Sequence, residues 1–142
     1  MEQVNKIDWE KMDGLIPVIT QDATTNEVLM LAYMNKEALE LTIKTNYAHY
    51  YSRSKQRLWK KGESSNHLQE IVNILVDCDN DTILLKVNQE GVACHTGRKS
   101  CFFTDLNTNE TICDVQIDTS SAYGVIDTLY HTILEKKNDD PS

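Results

Sequence analysis

Two runs rich in isoleucine, leucine and valine, Leu68 to Val76 and Thr82 to Val87, flank five polar residues, Asp77-Cys78-Asp79-Asn80-Asp81. Aliphatic and β-branched runs of this length favour strands, and so short a polar connection joins them as a hairpin. The other segments read around this hairpin. Leu15 to Thr20 is a strand, with Pro17 fitting an edge or a strand start. Glu27 to Met34 is a second apolar run, linked to the first through Ala23-Thr24-Thr25-Asn26.

Asn35 is a good N-cap, and Met34 with Leu39 is placed as a hydrophobic staple, so Lys36 to Thr45 is expected to be helical. A capped turn is expected at Trp9 to Met12 after Asp8, ending at Gly14. Aromatic strand formers occupy Ala48 to Ser52 and the stretch around Leu58-Trp59. Shorter strands are expected at Ser100 to Thr104 and Thr111 to Val115, joined by an Asn107-Thr108-Asn109 turn. Val125, Ile126, Leu129, Tyr130, Ile133 and Leu134 form one helical stripe near the C-terminus. The expected fold class is α+β, a strand-rich single domain with few helices. Its domain spans residues 1–118, followed by a helical tail at 119–142.

At 142 residues the chain has the size of one ordinary domain. Fourteen basic residues stand against 22 acidic ones, a net charge of −8, which disfavours nucleic-acid polymers and anionic membranes. The N-terminal residues lack the apolar stretch of a secretory signal, so a cytoplasmic setting with reduced thiols is expected. The four cysteines are then core residues, metal ligands or nucleophiles. Cys78, Cys94 and Cys101 fall within 24 residues, and Cys113 lies apart as a packing residue.

Three constellations can carry chemistry. Asp77, Asp79 and Asp81 offer hard oxygen donors of the kind Mg²⁺ requires. An EF-hand fails, because position six is Thr82 and position twelve is Asn88. A solvated acidic turn is the commoner fate of such a cluster. Cys78, between two of these carboxylates, would point away from Asp77 and Asp79 in an extended segment. Cys94-His95-Thr96-Gly97-Arg98-Lys99-Ser100-Cys101 can fold back on one metal, with Arg98 and Lys99 favouring the thiolates. Three sulfur ligands plus water describe a catalytic zinc, and His95 as fourth ligand would describe a structural one. Tyr50 to Glu63 holds five of the fourteen basic residues, with no acid before Glu63. That basic island suits a phosphate, its aromatics suit a base, and an amphipathic hairpin with Trp59 in the core is the plain alternative.

Taken together, these stretches resemble the phosphoribosyl-AMP cyclohydrolase family of histidine biosynthesis. The matching pieces are Gln21-Asp22, Glu27 to Asn35, Tyr51 to Ser54, Leu58 to Glu63, Asp77 to Thr82, Ala93 to Gly97 and Ser100 to Phe102. The resemblance implies hydrolytic opening of the purine ring of 1-(5-phosphoribosyl)-AMP at N1–C6 by zinc-activated water. It implies Zn²⁺ and Mg²⁺ as cofactors and an intertwined homodimer with shared zinc sites. Carried over by position, Asp77, Asp79 and Asp81 hold magnesium. Cys94 and Cys101 of one subunit, with Cys78 of the other, hold zinc. His67 and His95 are the acid–base candidates, with Glu63 behind them. Arg53, Trp59, Lys61 and Glu63 form the substrate-facing set, Arg53 and Lys61 for its phosphates.

Many relatives carry glycine where Asn66 precedes His67, and asparagine tolerates left-handed backbone, so the same turn is expected to survive. Leu129 to Lys137 resembles the opening of a phosphoribosyl-ATP pyrophosphohydrolase domain, known in fusions with the cyclohydrolase. That domain's acidic helices do not follow, so a truncated or remnant domain without pyrophosphohydrolase activity is expected. A non-catalytic, zinc-stabilised nucleotide-binding module is the alternative function. A zinc nucleoside deaminase is disfavoured, since its H-x-E and P-C-x-x-C signatures are missing.

Overall fold

The hairpin anticipated from the aliphatic runs forms one side of a four-stranded mixed sheet. The computed structural model describes residues 2–113, 115 and 116, so the tail expected at 119–142 lies outside the described residues. A short 3₁₀ helix, Glu2–Lys6, precedes β1 (Ile16–Asp22) and β2 (Val28–Met34). Helix α1 (Lys36–Thr45), β3 (His49–Ser52), β4 (Arg57–Lys60), β5 (Gln69–Val76) and β6 (Ile83–Gln89) follow. The large sheet runs β2-β1-β6-β5, with β1 and β6 parallel and both outer pairs antiparallel. Strands β3 and β4 pair antiparallel as a second sheet. The described residues thus form a strand-rich α+β domain with one α-helix, and no helix among them is long and apolar enough to cross a membrane.

Strand β1 is internal, and Pro17 is accommodated because pairing with β6 begins only at Val18. Its alternation buries Ile16, Val18, Thr20 and Asp22, so the inward face changes from apolar to polar along its length. Helix α1 has the expected limits. Asn35 Oδ1 accepts the Ala38 N–H at 2.8 Å, while Asn46 closes the C-terminus in a left-handed conformation. Both staple residues, Met34 and Leu39, are buried. The turn after Asp8 is also present, its Oδ1 accepting the Lys11 N–H at 3.2 Å.

Polar groups tie the two sheets together inside the core. Tyr50 is fully buried and lies opposite Trp59, with ring centroids 5.0 Å apart. Its hydroxyl donates to Gln69 Oε1 at 2.6 Å and accepts from the Thr20 hydroxyl at 2.7 Å. Gln69 Nε2 then donates to Gln89 Oε1 at 2.8 Å.

One expectation fails. Among the described residues, the segments at 100–104 and 111–115 make isolated bridges in place of strands, Thr104 with Thr111 and Arg98 with Val115. Phe102, Ile112 and Val115 are exposed, so little apolar surface is buried to stabilise strands there. The turn between them does form, with Asp105 Oδ1 accepting the N–H groups of Asn107 and Thr108. Cys113 is partly buried.

Tyr50→Phe should lower unfolding stability by about 1–3 kcal/mol, because it leaves buried Thr20 and Gln69 groups without their shared partner. Urea denaturation reads this as a lower midpoint at unchanged slope.

Candidate active site

The hairpin loop between β5 and β6 gathers three carboxylates. Oxygens of Asp77, Asp79 and Asp81 all lie within 4.8 Å of one another, a spacing on which one hard cation can draw. The loop is held by Asp77 N–H to Thr82 O at 3.0 Å, Asp81 N–H to Asp77 Oδ1 at 3.1 Å, and left-handed Asn80. Lys11 Nζ sits 2.9 Å from Asp81 Oδ2, and the Asp8 N–H donates to Asn80 O at 2.8 Å. The Lys11 hydrogen bond, aided by its charge, holds the Asp81 carboxyl below the usual range. Cys78 is exposed in the same loop. The backbone here is a turn and not an extended strand, so alternation is not what separates Cys78 from its acidic neighbours.

Cys94 and Cys101 bracket a tight loop. Ala93 N–H donates to Lys99 O and Cys94 N–H to Arg98 O, each at 3.1 Å, while Gly97 with φ of 91° donates to Cys94 O. The loop docks on the free edge of β2, where Cys101 N–H donates to Leu29 O at 2.7 Å and Ser100 Oγ to Val28 O at 2.8 Å. Cys94 is buried, its Sγ 3.0 Å from Thr96 Oγ1. Arg98 and Lys99, expected to favour the thiolates, engage other groups. Lys99 Nζ pairs with Asp22 at 3.0 Å, and Arg98 donates to Cys113 O at 2.8 Å. Among the described residues of one chain, the aspartates alone form a three-ligand cluster, so Cys78, Cys94 and Cys101 are not brought together within it.

The histidines are set apart in character. His95 is exposed beside Cys94. The His67 ring packs on Gly91, where a Cβ would lie 2.6 Å from its Cδ2. Asn66 has φ of 65°, so the turn expected before His67 is present. Gly62 makes that turn possible, since a Cβ there would meet the His67 carbonyl carbon at 2.7 Å.

The basic island folds as the β3–β4 hairpin and divides its charges among different tasks. Arg53 lies over the Tyr33 ring, 4.1 Å from its centroid. It borders an open cleft of about 490 Å³ lined by Leu31, Ala32, Tyr33, Tyr51, Ser52, Arg53, Ser54 and Trp59. Arg57 pairs with Glu63 at 2.8 Å, and Glu63 also accepts the Lys60 N–H at 3.0 Å. Burial alone would raise the Glu63 carboxyl, but these hydrogen bonds and the Arg57 charge hold it low. Lys61, expected as a phosphate contact, is only 2% exposed, and its Nζ donates to Ala93 O at 2.5 Å. The sequence reading gave Tyr33 no role, while Tyr51 belongs to the aromatics of the basic island that suit a base. The alternate placement of Leu31 and Tyr33 on a strand is the signal that puts both on one face.

Strand β2 links cleft and cysteine loop, since Leu31 follows the docking residue Leu29 by two positions, roughly 7 Å along a strand. The family model for phosphoribosyl-AMP cyclohydrolase matches residues 30–103, which include the cleft, the aspartate loop and the cysteine loop. The chain belongs to the phosphoribosyl-AMP cyclohydrolase family. A phosphoribosyl-AMP cyclohydrolase of Methanococcoides burtonii is 52% identical over 119 residues, covering 82% of this chain and 98% of the relative. That of Archaeoglobus fulgidus is 59% identical over 100 residues, 70% of this chain and 93% of the relative. The histidine biosynthesis bifunctional protein of Wolinella succinogenes is 58% identical over 137 residues. That alignment covers 95% of this chain, and so extends into the tail, but only 59% of the relative's length.

Acid should reveal the tie between loop and sheet. Burial would raise the Asp22 carboxyl, but hydrogen bonds from Lys99 and the Thr24 and Thr25 N–H groups hold it below its ordinary value. The folded state therefore binds this proton more weakly than the unfolded chain. Its stabilisation is complete above the unfolded value near ~4 and is lost as pH falls through the lower folded one. Across roughly pH 5 to 3, the urea midpoint of the parent should fall more steeply than that of Asp22→Asn.

Proposed function

We propose that the chain opens the purine ring of 1-(5-phosphoribosyl)-AMP by hydrolysis at N1–C6, in a cytoplasmic histidine-biosynthetic setting. The observation that carries this reading is the juxtaposition on β2 of a cysteine loop and an aromatic cleft bordered by a guanidinium. Family membership supplies the reaction, and the cleft supplies a place for a nucleotide of this kind.

The donor sets fit two different metals. Three carboxylates suit Mg²⁺, so Asp77, Asp79 and Asp81 would hold it, and soft thiolates suit Zn²⁺. Cys94 and Cys101 would hold zinc with Cys78 of a second copy, which agrees with the failure of one chain to converge all three. Exposed apolar side chains on the outer strands favour such a homodimer: Val72, Leu75 and Val76 on β5, and Val28 and Leu31 on β2. When bound, zinc supplies Lewis-acid activation of the attacking water.

The protein's own groups would do the rest. Substitution at N1 gives the adenine ring amidinium character, leaving C6 electron-poor. Tyr33, Tyr51 and Trp59 line the cleft, and aromatic side chains of this kind favour a ring with positive character. Arg53, at the rim, is placed to take a phosphate. His95 adjoins Cys94 and is exposed, so it is the better placed histidine to take a proton from water and return it to the departing nitrogen. Glu63, tied to Arg57, would orient the β4 end of the cleft instead of moving protons.

Purified protein incubated with 1-(5-phosphoribosyl)-AMP, Zn²⁺ and Mg²⁺ should change the ultraviolet absorbance of the base as the ring opens. No change would refute the assignment. Cys94→Ser should reduce both turnover and bound zinc by more than about 100-fold, beyond the effect of losing an outer-shell partner. Asp79→Asn should raise the Mg²⁺ concentration needed for half-maximal rate while leaving zinc content intact. Retention of zinc and full rate by Cys94→Ser would overturn the ligand assignment.

A further inference from the structure

We propose that Tyr33 is a positioning residue for substrate phosphate, its ring holding the Arg53 guanidinium at the cleft with the N–H fork left for the anion. The inference rests on the phosphate role of Arg53 in the proposed reaction.

Tyr33 is the penultimate residue of β2, and Arg53 immediately follows β3, so the pair joins the two sheets. Arg53 Cζ lies over the Tyr33 ring, 4.1 Å from its centroid, well within reach of a cation–π contact. Arg53 is exposed and opens the turn at 53–56 between β3 and β4. A long side chain in such a place has much rotamer freedom to lose when a ligand fixes it. Two clefts meet at this side chain. Besides the aromatic cleft, a second of about 440 Å³ is lined by Arg53 and Tyr51 with Asp13, Asn35 and Gln56. Arg53 and Tyr51 border both clefts, whereas Tyr33 borders the first and not the second. The guanidinium thus has two directions open to it, and the Tyr33 ring selects one.

Holding a guanidinium by a ring and binding phosphate with it engage different parts of the group. The ring acts through the charge and the flat face, while phosphate oxygens are taken by the N–H donors in the plane. Tyr33 can therefore fix Arg53 without consuming a donor and without neutralising it. Arg57 shows the opposite arrangement, its N–H groups committed to Glu63 and to the Leu58 carbonyl. A carboxylate in place of the Tyr33 ring would hold Arg53 as firmly and remove the charge that an anion needs. Pre-ordering of this kind lowers the entropy lost on binding, so it acts on affinity and not on the chemical step.

The test is steady-state kinetics of the intact protein with Zn²⁺, Mg²⁺ and 1-(5-phosphoribosyl)-AMP. Arg53→Met should raise KM about 10-fold or more, as expected for lost hydrogen bonds to a charged group, with zinc content unchanged. Tyr33→Leu should raise KM about 2–5-fold, the effect of an exposed cation–π contact, with kcat unchanged. Tyr33→Phe, which keeps the ring, should stay within about twofold of the parent. In the double variant Tyr33→Leu/Arg53→Met, KM should equal that of Arg53→Met alone, because Tyr33 acts through Arg53. An additive rise would mean that Tyr33 touches substrate itself and overturns the proposal, as does a parent KM in Tyr33→Leu. If Arg53→Met keeps the parent KM, the phosphate role of Arg53 falls and this inference with it. Absence of turnover by the parent removes the reaction and the inference together. A measurement on the parent needs no variant to fold. In its NMR spectrum the Arg53 Hδ signals, displaced upfield by the ring, should stay displaced at saturating AMP while the Nε–H signal moves downfield. Return of Hδ to its ordinary position, or an Nε–H signal indifferent to AMP, overturns the proposal.

Discussion

The Tyr50 hydroxyl is the joint on which the architecture depends. It lies on the two-stranded sheet, yet its two partners, Thr20 and Gln69, belong to different strands of the larger one. Gln69 continues the chain of hydrogen bonds to Gln89, whose Nε2 reaches the carbonyls of His67 and Glu90. A buried network of this sort must be satisfied throughout, because each missing partner leaves a polar group in a low-dielectric interior. It therefore fixes the β3–β4 hairpin, which carries Arg53 and Trp59, against the strands that carry the aspartate loop. The positions of cleft and loop follow from one phenol.

Charge in this chain is distributed by partner and not by patch. The basic island suits a single phosphate-binding surface, but four of its five cations end in four different environments. Arg57 is neutralised by Glu63, Lys60 lies over Tyr47, Lys61 is buried against Ala93, and Arg53 alone borders the cleft. A linear stretch of basic residues on a hairpin cannot point all its side chains one way, since neighbours on a strand face opposite sides. Only one or two cations of such an island remain available to an anionic ligand. That narrows recognition toward a small molecule and away from a polymer, the same direction in which the overall acidity argues.

How much of this was legible in advance depended on whether the signal was local. Helix α1 was readable to the residue, because Asn35, Met34 and Leu39 act within a few positions of one another. The β5–β6 hairpin is readable for the same reason, while the turn at Asn66 rests on the glycine that relatives carry there. The 100–104 and 111–115 segments have strand-forming composition, but strands need a partner and a buried face, which is tertiary information. The burial of Lys61 is not legible, because sequence shows a charge without showing its surroundings. The separation of Cys78 from its neighbouring aspartates was expected from strand alternation, whereas the structure places these residues in a turn.

Hard and soft metal sites impose opposite demands, and the proposed magnesium and zinc donors lie in correspondingly different surroundings. Carboxylates want a solvated, mutually close arrangement that tolerates their repulsion until a cation arrives, and an exposed hairpin tip provides it. Thiolates want a drier setting fixed at both ends, which the buried Cys94 loop on the β2 edge provides. One sulfur, Cys78, nevertheless sits on the solvated tip. Within a single chain that is a poor location for a zinc ligand. It becomes a good one only if the tip projects into another copy, where the exposed apolar residues of β5 would be covered at the same time. On the dimeric zinc reading proposed above, one contact with a second copy would both bring this thiol to Cys94 and Cys101 and cover the exposed β5 residues.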